Sequence, residues 1–176
     1  MTIPGNISLA WRDWAGLSTD ELYQLLAFRQ AIFVVEQASA YPDLDGRDST
    51  ARHLTLRRDE ALIGYLRLTT PEREGEIPSP VRLGRVAVAE AERGKGYARS
   101  MVAEALRLAV ALHPGRGIEI GAQVYLEPFY ARFGFVRSTS PYDDFGIPHI
   151  DMVRAAEGLA RTPSSPNCHA REDGNP

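Results

Sequence analysis

The run Leu83-Gly84-Arg85-Val86-Ala87-Val88-Ala89, followed closely by Arg93-Gly94-Lys95-Gly96-Tyr97-Ala98, constrains this chain more than any other stretch. The first part alternates as a strand does. Beyond the glycines, Ala98, Met101, Val102, Ala105, Leu106, Ala109 and Leu112 recur at helical spacing, with Arg99, Glu104 and Arg107 on the other side. His113-Pro114-Gly115 ends that pattern. The order is strand, glycine-rich turn, helix. Two glycines let the backbone turn tightly and bare its N–H groups. Free donors and the helix dipole then favour an anion at the helix start, usually a phosphate. Arg93 and Lys95 add positive charge there, so Arg93 to Ala98 is expected to hold a phosphorylated small molecule. The plainer alternative is an ordinary turn with solvated cations.

Two nucleotide fingerprints fail. A P-loop needs Gly-Lys-Ser/Thr, and here the order is Lys95-Gly96. A dinucleotide loop needs a third glycine where Arg99 stands, and the βαβ series around it is missing.

The remaining chain fits one domain over 1–156. Asn6 to Trp14 reads as a strand, and Ser18 is a helix N-cap with Asp20 and Glu21 in the first turn. Leu22, Leu25, Leu26, Arg29, Ile32 and Phe33 continue that helix. Residues 36–50 are a polar loop. Arg52 to Arg58 and Ala61 to Thr69 are strands around Asp59-Glu60, and Pro71 to Pro80 is a loop. Ile118 to Val124 is a buried strand; Leu126 to Phe135 is a short helix, a glycine stop and a strand. Ser138 to Pro148 is a loop leading to a last strand, His149 to Arg154. The order β-α-β-β-β-α-β-α-β-β predicts an α/β (α+β) fold with a mixed central sheet and helices on both faces. Residues 157–176 are Pro/Ser/Asn/Gly-rich and are expected to be a disordered tail.

At 176 residues the chain is long enough for a full core. A net charge of −3 argues against a nucleic-acid binder. The single cysteine, Cys168, forms no internal disulfide, and with no secretory leader and no bilayer-length apolar run the expected home is the cytoplasm. No His/Cys cluster has metal-ligand spacing, so no metal is expected. A homodimer is left open.

Arg93, Gly96 and Ala98 fill a pattern of Arg/Gln, two residues, Gly, one residue, Gly/Ala. Tyr130-Ala131-Arg132-Phe133-Gly134-Phe135 follows at the right distance. Together they resemble the GNAT acetyltransferases. Phe33 to Gln37, Tyr41 to Gly46, Arg52-His53 and Gly146 to Met152 are similar to its ElaA-type branch, and the resemblance covers roughly residues 6 to 155. It implies that the loop N–H groups of Arg93, Gly94, Lys95, Gly96, Tyr97 and Ala98 bind the pyrophosphate of acetyl-CoA. It also implies that the strand at Val86, Ala87 and Val88 lies along the pantetheine arm, and that Tyr130 is the general acid. The resemblance carries over no general base.

Acetyl transfer to an amine needs close approach, loss of an amine proton and stabilisation of oxyanion and thiolate. It needs no covalent enzyme intermediate. Backbone N–H groups at Val86 to Val88 are candidates for the oxyanion. Glu36, Asp45, His53 and His149 are candidate bases, with Glu36 preferred; Asp45, His53 and His149 are also candidates for binding the acceptor. Glu36, Asp43, Asp45, Asp143 and Asp144 would steer a cationic small-molecule or peptide amine if their loops line the acceptor groove. The competing class is a non-catalytic acyl-CoA-binding regulatory module.

Overall fold

The computed structural model describes residues 6–70 and 79–156. The expected tail with Cys168, and most of the loop 71–80, lie outside the described residues. The elements are β1 (Ile7–Asp13), α1 (Thr19–Gln30), β2 (Ala51–Arg58), β3 (Ala61–Thr69), β4 (Val81–Val88), α2 (Tyr97–Leu112), β5 (Ile118–Gln123), α3 (Glu127–Ala131), β6 (Val136–Arg137), β7 (Tyr142–Asp144) and β8 (Ile147–Arg154). The sheet order is β1-β2-β3-β4-β5-β8-β6, with β7 paired to β8. Among these strands only β4 and β5 pair in parallel.

The expected order holds, with one addition: β7 lies inside the stretch read as a loop. Phe145 and Gly146, at φ +51° and +85°, form a two-residue hairpin turn between β7 and β8. Paired positive φ values match the twist of a hairpin. The Asp143 carboxylate accepts from the Gly146 N–H at 3.1 Å and closes that turn.

Helix α1 starts at a capping box. The Ser18 hydroxyl accepts from the Glu21 N–H at 3.1 Å, and the Glu21 carboxylate accepts from the Ser18 N–H at 3.0 Å. The apolar pattern runs on to Phe33, but the regular helix stops at Gln30. Ala31–Glu36 continues as a π-helical turn, which ends at Glu36. Such turns are uncommon and often mark functional sites.

Helices cover both faces of the sheet, because neighbouring strand residues point opposite ways. A Cβ on Gly64 would meet the Met101 sulfur of α2 at 2.9 Å. On the other face, the Arg29 guanidinium of α1 lies over the Tyr65 ring at 5.6 Å. The main apolar core joins Leu54, Leu66, Leu68, Leu83, Ile120, Ile150 and Met152 to Met101, Val102, Ala105 and Ala109 of α2. The α2 positions are those the helical spacing selects, apart from Leu112, which is exposed. Among the described residues no helix is long and apolar enough to cross a membrane.

Candidate active site

Strands β4 and β5 share only two register pairs, Val81↔Ile118 and Arg82↔Glu119, and then separate. The cause is visible in β4. Tyr65 faces Ala87 and Arg67 faces Gly84, so Arg85 and Val86 together oppose Leu66. Arg85 stands at φ +54°, left-handed backbone that is costly for a side chain of its size. This bulge bends β4 away from β5. The gap is a cleft of about 660 Å³ walled by Leu83 to Val88 on one side and Ile120 to Gln123 on the other.

One end of the cleft is the glycine loop. Gly94 and Gly96 have φ of +78° and +86°, and a Cβ at either would meet open space. Gly96 is the N-cap of α2 and has no side chain to cap the helix. The first N–H groups of a helix have no intrahelical partner. An uncapped, unobstructed helix start of this kind fits a pyrophosphate. The two cations are less free than the sequence suggested. Arg93 Nη2 pairs with Glu36 at 2.7 Å and its Nε donates to the Val88 carbonyl at 3.0 Å. Lys95 pairs with Glu92 at 3.1 Å, and Arg58 holds the same carboxylate at 2.6 Å.

Tyr130, on α3, lines the cleft although only 3% of it is exposed. Its ring lies edge-on to Phe129 at 4.9 Å and to Phe135 at 6.0 Å. The hydroxyl makes no hydrogen bond among the described residues. Burial disfavours the phenolate and pushes the phenol above its ordinary pKa, so it stays a proton donor at neutral pH.

The other end of the cleft lies under the 38–50 loop and the β7–β8 hairpin. An ion-pair lattice fixes the loop. Fully buried Arg29 donates to Asp43 at 2.8 Å and to Asp48 at 2.6 Å. Arg67 donates to Asp45 through both terminal nitrogens and to Asp48 at 2.8 Å. Arg85 donates to Asp43 at 2.7 Å and lies over the Tyr41 ring at 4.8 Å. Burial opposes ionisation of Asp45, but the Arg67 fork, with Arg85 beside it, outweighs burial and holds the carboxyl far below its usual range. Burial likewise opposes ionisation of Asp48, and Arg67 and Arg29 overcome it. Three carboxylates are thus neutralised by three guanidinium groups.

This changes several sequence expectations. Asp45 lines the cleft but presents no free negative charge, and Asp43 lies behind the wall. His53 does not reach the cleft. It is fully buried, with Nδ1 2.7 Å from the Tyr65 hydroxyl and Nε2 2.9 Å from the Asp48 carbonyl. Burial lowers its pKa, and it serves as a neutral support under the loop. Glu36 lines the cleft, but its oxygens lie 2.7 and 2.8 Å from Arg93. They are turned to Arg93, at the glycine-loop end of the cleft. His149 does line the cleft, at the end under the β7–β8 hairpin. Its Nδ1 lies 2.8 Å from the Ile147 carbonyl, so Nδ1 carries a proton. In the neutral ring Nε2 then carries the lone pair, and it has no partner among the described residues. Asp144 stands 3.9 Å from Nδ1, and the Tyr142 ring stacks on the imidazole at 6.2 Å.

Tyr41, Arg67, Arg85 and Tyr142 line the cleft and were not anticipated. An arginine between two leucines, as in Leu66-Arg67-Leu68, was the available signal: a charge inside an apolar strand calls for a buried partner. Among the described residues no group of His, Cys, Asp or Glu is placed to hold a metal.

Splayed strands, a glycine loop at a helix start and a buried phenol between them define an acetyltransferase-type fold. The acetyltransferase (GNAT) domain family matches residues 21–156, and the chain belongs to that family. It is 38% identical over 150 residues to protein ElaA of Escherichia coli K12, covering 83% of this chain and 96% of that protein. The crystal structure of E. coli ElaA superposes with a TM-score of 0.78 at 36% identity, covering 85% of this chain and 99% of that one. An acyl-CoA N-acyltransferase from Pseudomonas aeruginosa superposes with a TM-score of 0.78 at 37% identity, covering 85% and 100%.

Proposed function

We propose that this protein transfers an acetyl group from acetyl-CoA directly to the nitrogen of an amine. The observation that carries the reading is the bulge-opened gap between β4 and β5, with the Gly94/Gly96 helix start at one end and Tyr130 in its wall. The Pseudomonas relative, an acyl-CoA N-acyltransferase, supports the donor class.

The loop N–H groups of residues 93–98 hold the donor's pyrophosphate, and the strand at Val86 to Val88 receives the pantetheine arm. Arg93 exchanges Glu36 for phosphate oxygen. His149 Nε2 accepts the proton that the amine releases as its nitrogen bonds the acetyl carbon. Backbone N–H groups at the β4 bulge meet the carbonyl oxygen while it carries negative charge. Tyr130 donates its hydroxyl proton as the carbon–sulfur bond breaks, and regains one from solvent. The balance is amine plus thioester to amide plus free thiol.

The test is an acceptor screen that reads thiol release together with the mass of the acetylated product. Thiol release that depends on the amine, and falls in Tyr130→Phe, is the expected result. Tight acetyl-CoA binding without turnover on any amine would replace this reading with a non-catalytic acyl-CoA-binding module.

A further inference from the structure

The acceptor end of the cleft is walled by guanidinium groups. Arg47, Arg67, Arg82 and Arg85 line it, against the carboxylates of Asp45 and Asp144. Asp45 is already held by Arg67 and Arg85. Asp43 and Asp48, which balance the lattice, are not part of the lining. An incoming molecule therefore meets arginine N–H groups with Asp45 already paired beside them and Asp43 and Asp48 behind.

Arg82 is the most available of these. Its side chain is 45% exposed, and its ionic partner Glu119 is 3.4 Å away, longer than a charge-assisted hydrogen bond. The guanidinium donates no hydrogen bond among the described residues, and Glu119 is not in the lining. Arg85 adds a second donor. Its lattice bonds run through Nε and Nη2, leaving the two N–H groups of Nη1 without a partner among the described residues.

Strand register places Arg82 relative to the proton acceptor. Val81 and Leu83 are buried in the core with α2, so Arg82 stands on the opposite face of β4. It pairs with Glu119 of β5, and Gln123, four residues on, pairs with His149. Gly121 lies between them without a side chain of its own; the Tyr142 hydroxyl and the Asp151 carboxylate, hydrogen-bonded to each other, stand over it at 3.5 and 3.6 Å from a Cβ position. At roughly 3.3 Å per residue, positions 119 and 123 are about 13 Å apart. The long Arg82 side chain and the His149 imidazole can both reach into that interval.

Resting on the N-acetyltransferase reading above, we propose that the acceptor is an amine that also carries a carboxylate. Arg82, with Arg85 Nη1, receives the carboxylate in the fork geometry of a guanidinium, and the amine turns towards His149. A polyamine would instead set its second cation against this wall. The acidic loop that pointed to a cationic acceptor from sequence has the opposite effect once folded, because it orients arginines.

The experiment measures kcat/KM with acetyl-CoA for matched acceptors. One arm compares free amino acids with their primary amides. The other compares Nα-acetyl-lysine with Nα-acetyl-lysinamide, where the reactive amine lies far from the carboxylate. The two arms separate an α-amine acceptor from a side-chain amine. The acid is expected to exceed its amide at least tenfold in one arm. In Arg82→Ala the acid should fall to the level of the amide, with acetyl-CoA affinity by calorimetry and melting temperature unchanged. Arg82→Lys, which keeps the charge and loses the fork, should restore part of the gap. Amides accepted as well as acids, or a gap that survives Arg82→Ala, would overturn the proposal and leave the transferase reading standing. No transfer to any amine, despite acetyl-CoA binding, would remove that reading and this one with it.

Discussion

Arg85 Nε donates to Asp43 Oδ1 at 2.7 Å, joining a residue in left-handed backbone to a loop 42 positions earlier in the chain. The second Asp43 oxygen accepts from Arg29 at 2.8 Å, so one carboxylate ties α1 to the β4 bulge. Asp43→Ala would leave buried Arg29 and half-buried Arg85 without this partner. Breaking a buried pair from one side costs about 3–5 kcal/mol. Urea unfolding should show a loss of that order, and Arg29→Met a similar one, since it takes one of two arginines from each of Asp43 and Asp48.

The same lattice sets the acid limb of stability. Asp45 and Asp48 have pKa values below those of an unfolded carboxylate, about 3.9. The unfolded chain binds their protons first as pH falls, so it is favoured by acid. Their contribution is full above about pH 4 and is lost as pH drops below that value towards their folded pKa values. Urea titrations between pH 7 and pH 3 should show this slope. Asp48→Asn should be less stable at pH 7 and should lose less between those limits.

Gly96→Ala should weaken acetyl-CoA binding without unfolding the domain. The residue sits at φ +86° with open space above it, so the substitution brings backbone strain of roughly 1–2 kcal/mol and a methyl group where the ligand approaches. Gly96→Glu adds like charge and should abolish binding of CoA. Calorimetry with CoA and with pantetheine separates the two effects, since pantetheine carries no pyrophosphate.

Tyr130→Phe should lower kcat by about 10²–10⁴-fold while KM for acetyl-CoA stays close to wild type. The ring and its contacts with Phe129 and Phe135 survive the change, so packing is retained. A contact made only as sulfur gains charge affects turnover and not ground-state binding. Steady-state kinetics with chemistry rate-limiting checks this; an unchanged kcat would make Tyr130 a packing residue.

Glu36→Gln should tighten acetyl-CoA binding by releasing Arg93. Both partners are partly exposed, so the pair is worth at most about 1 kcal/mol, or roughly fivefold in Kd. The gain should shrink in high salt. A large fall in kcat would instead return Glu36 to the role of base, in place of His149.

Local chemistry was legible in the sequence. The Ser18 N-cap, the strand-to-helix glycine turn and the α2 spacing each depend on residues a few positions apart, and each formed as read. The cleft was not legible in the same way. It opens because Arg85 adopts positive φ, which nothing in an alternating Leu-Gly-Arg-Val run announces. The partners of the acidic loop were not legible for a related reason. Asp43 and Asp45 find their arginines on β3 and β4 through long-range contacts, so a stretch that looks like solvated charge becomes a buried lattice. His53 is a candidate base by residue type, which does not tell the direction its side chain takes. Strand alternation puts His53 inward and leaves Arg52 to Asp13 at the surface.

The parting of β4 and β5 gives the sheet an edge in its interior. Open sheet edges invite other chains to add on, and proteins usually blunt or cover them. Here β5 beyond Glu119 pairs with β8 on one side only, and Phe129 and Tyr130 of α3 with Tyr142 and Ile147 of the β7–β8 hairpin line the gap on its other side. The unpaired backbone of this interior edge thus faces a cleft within the fold and not the outer rims of the sheet, where β1 and β6 stand.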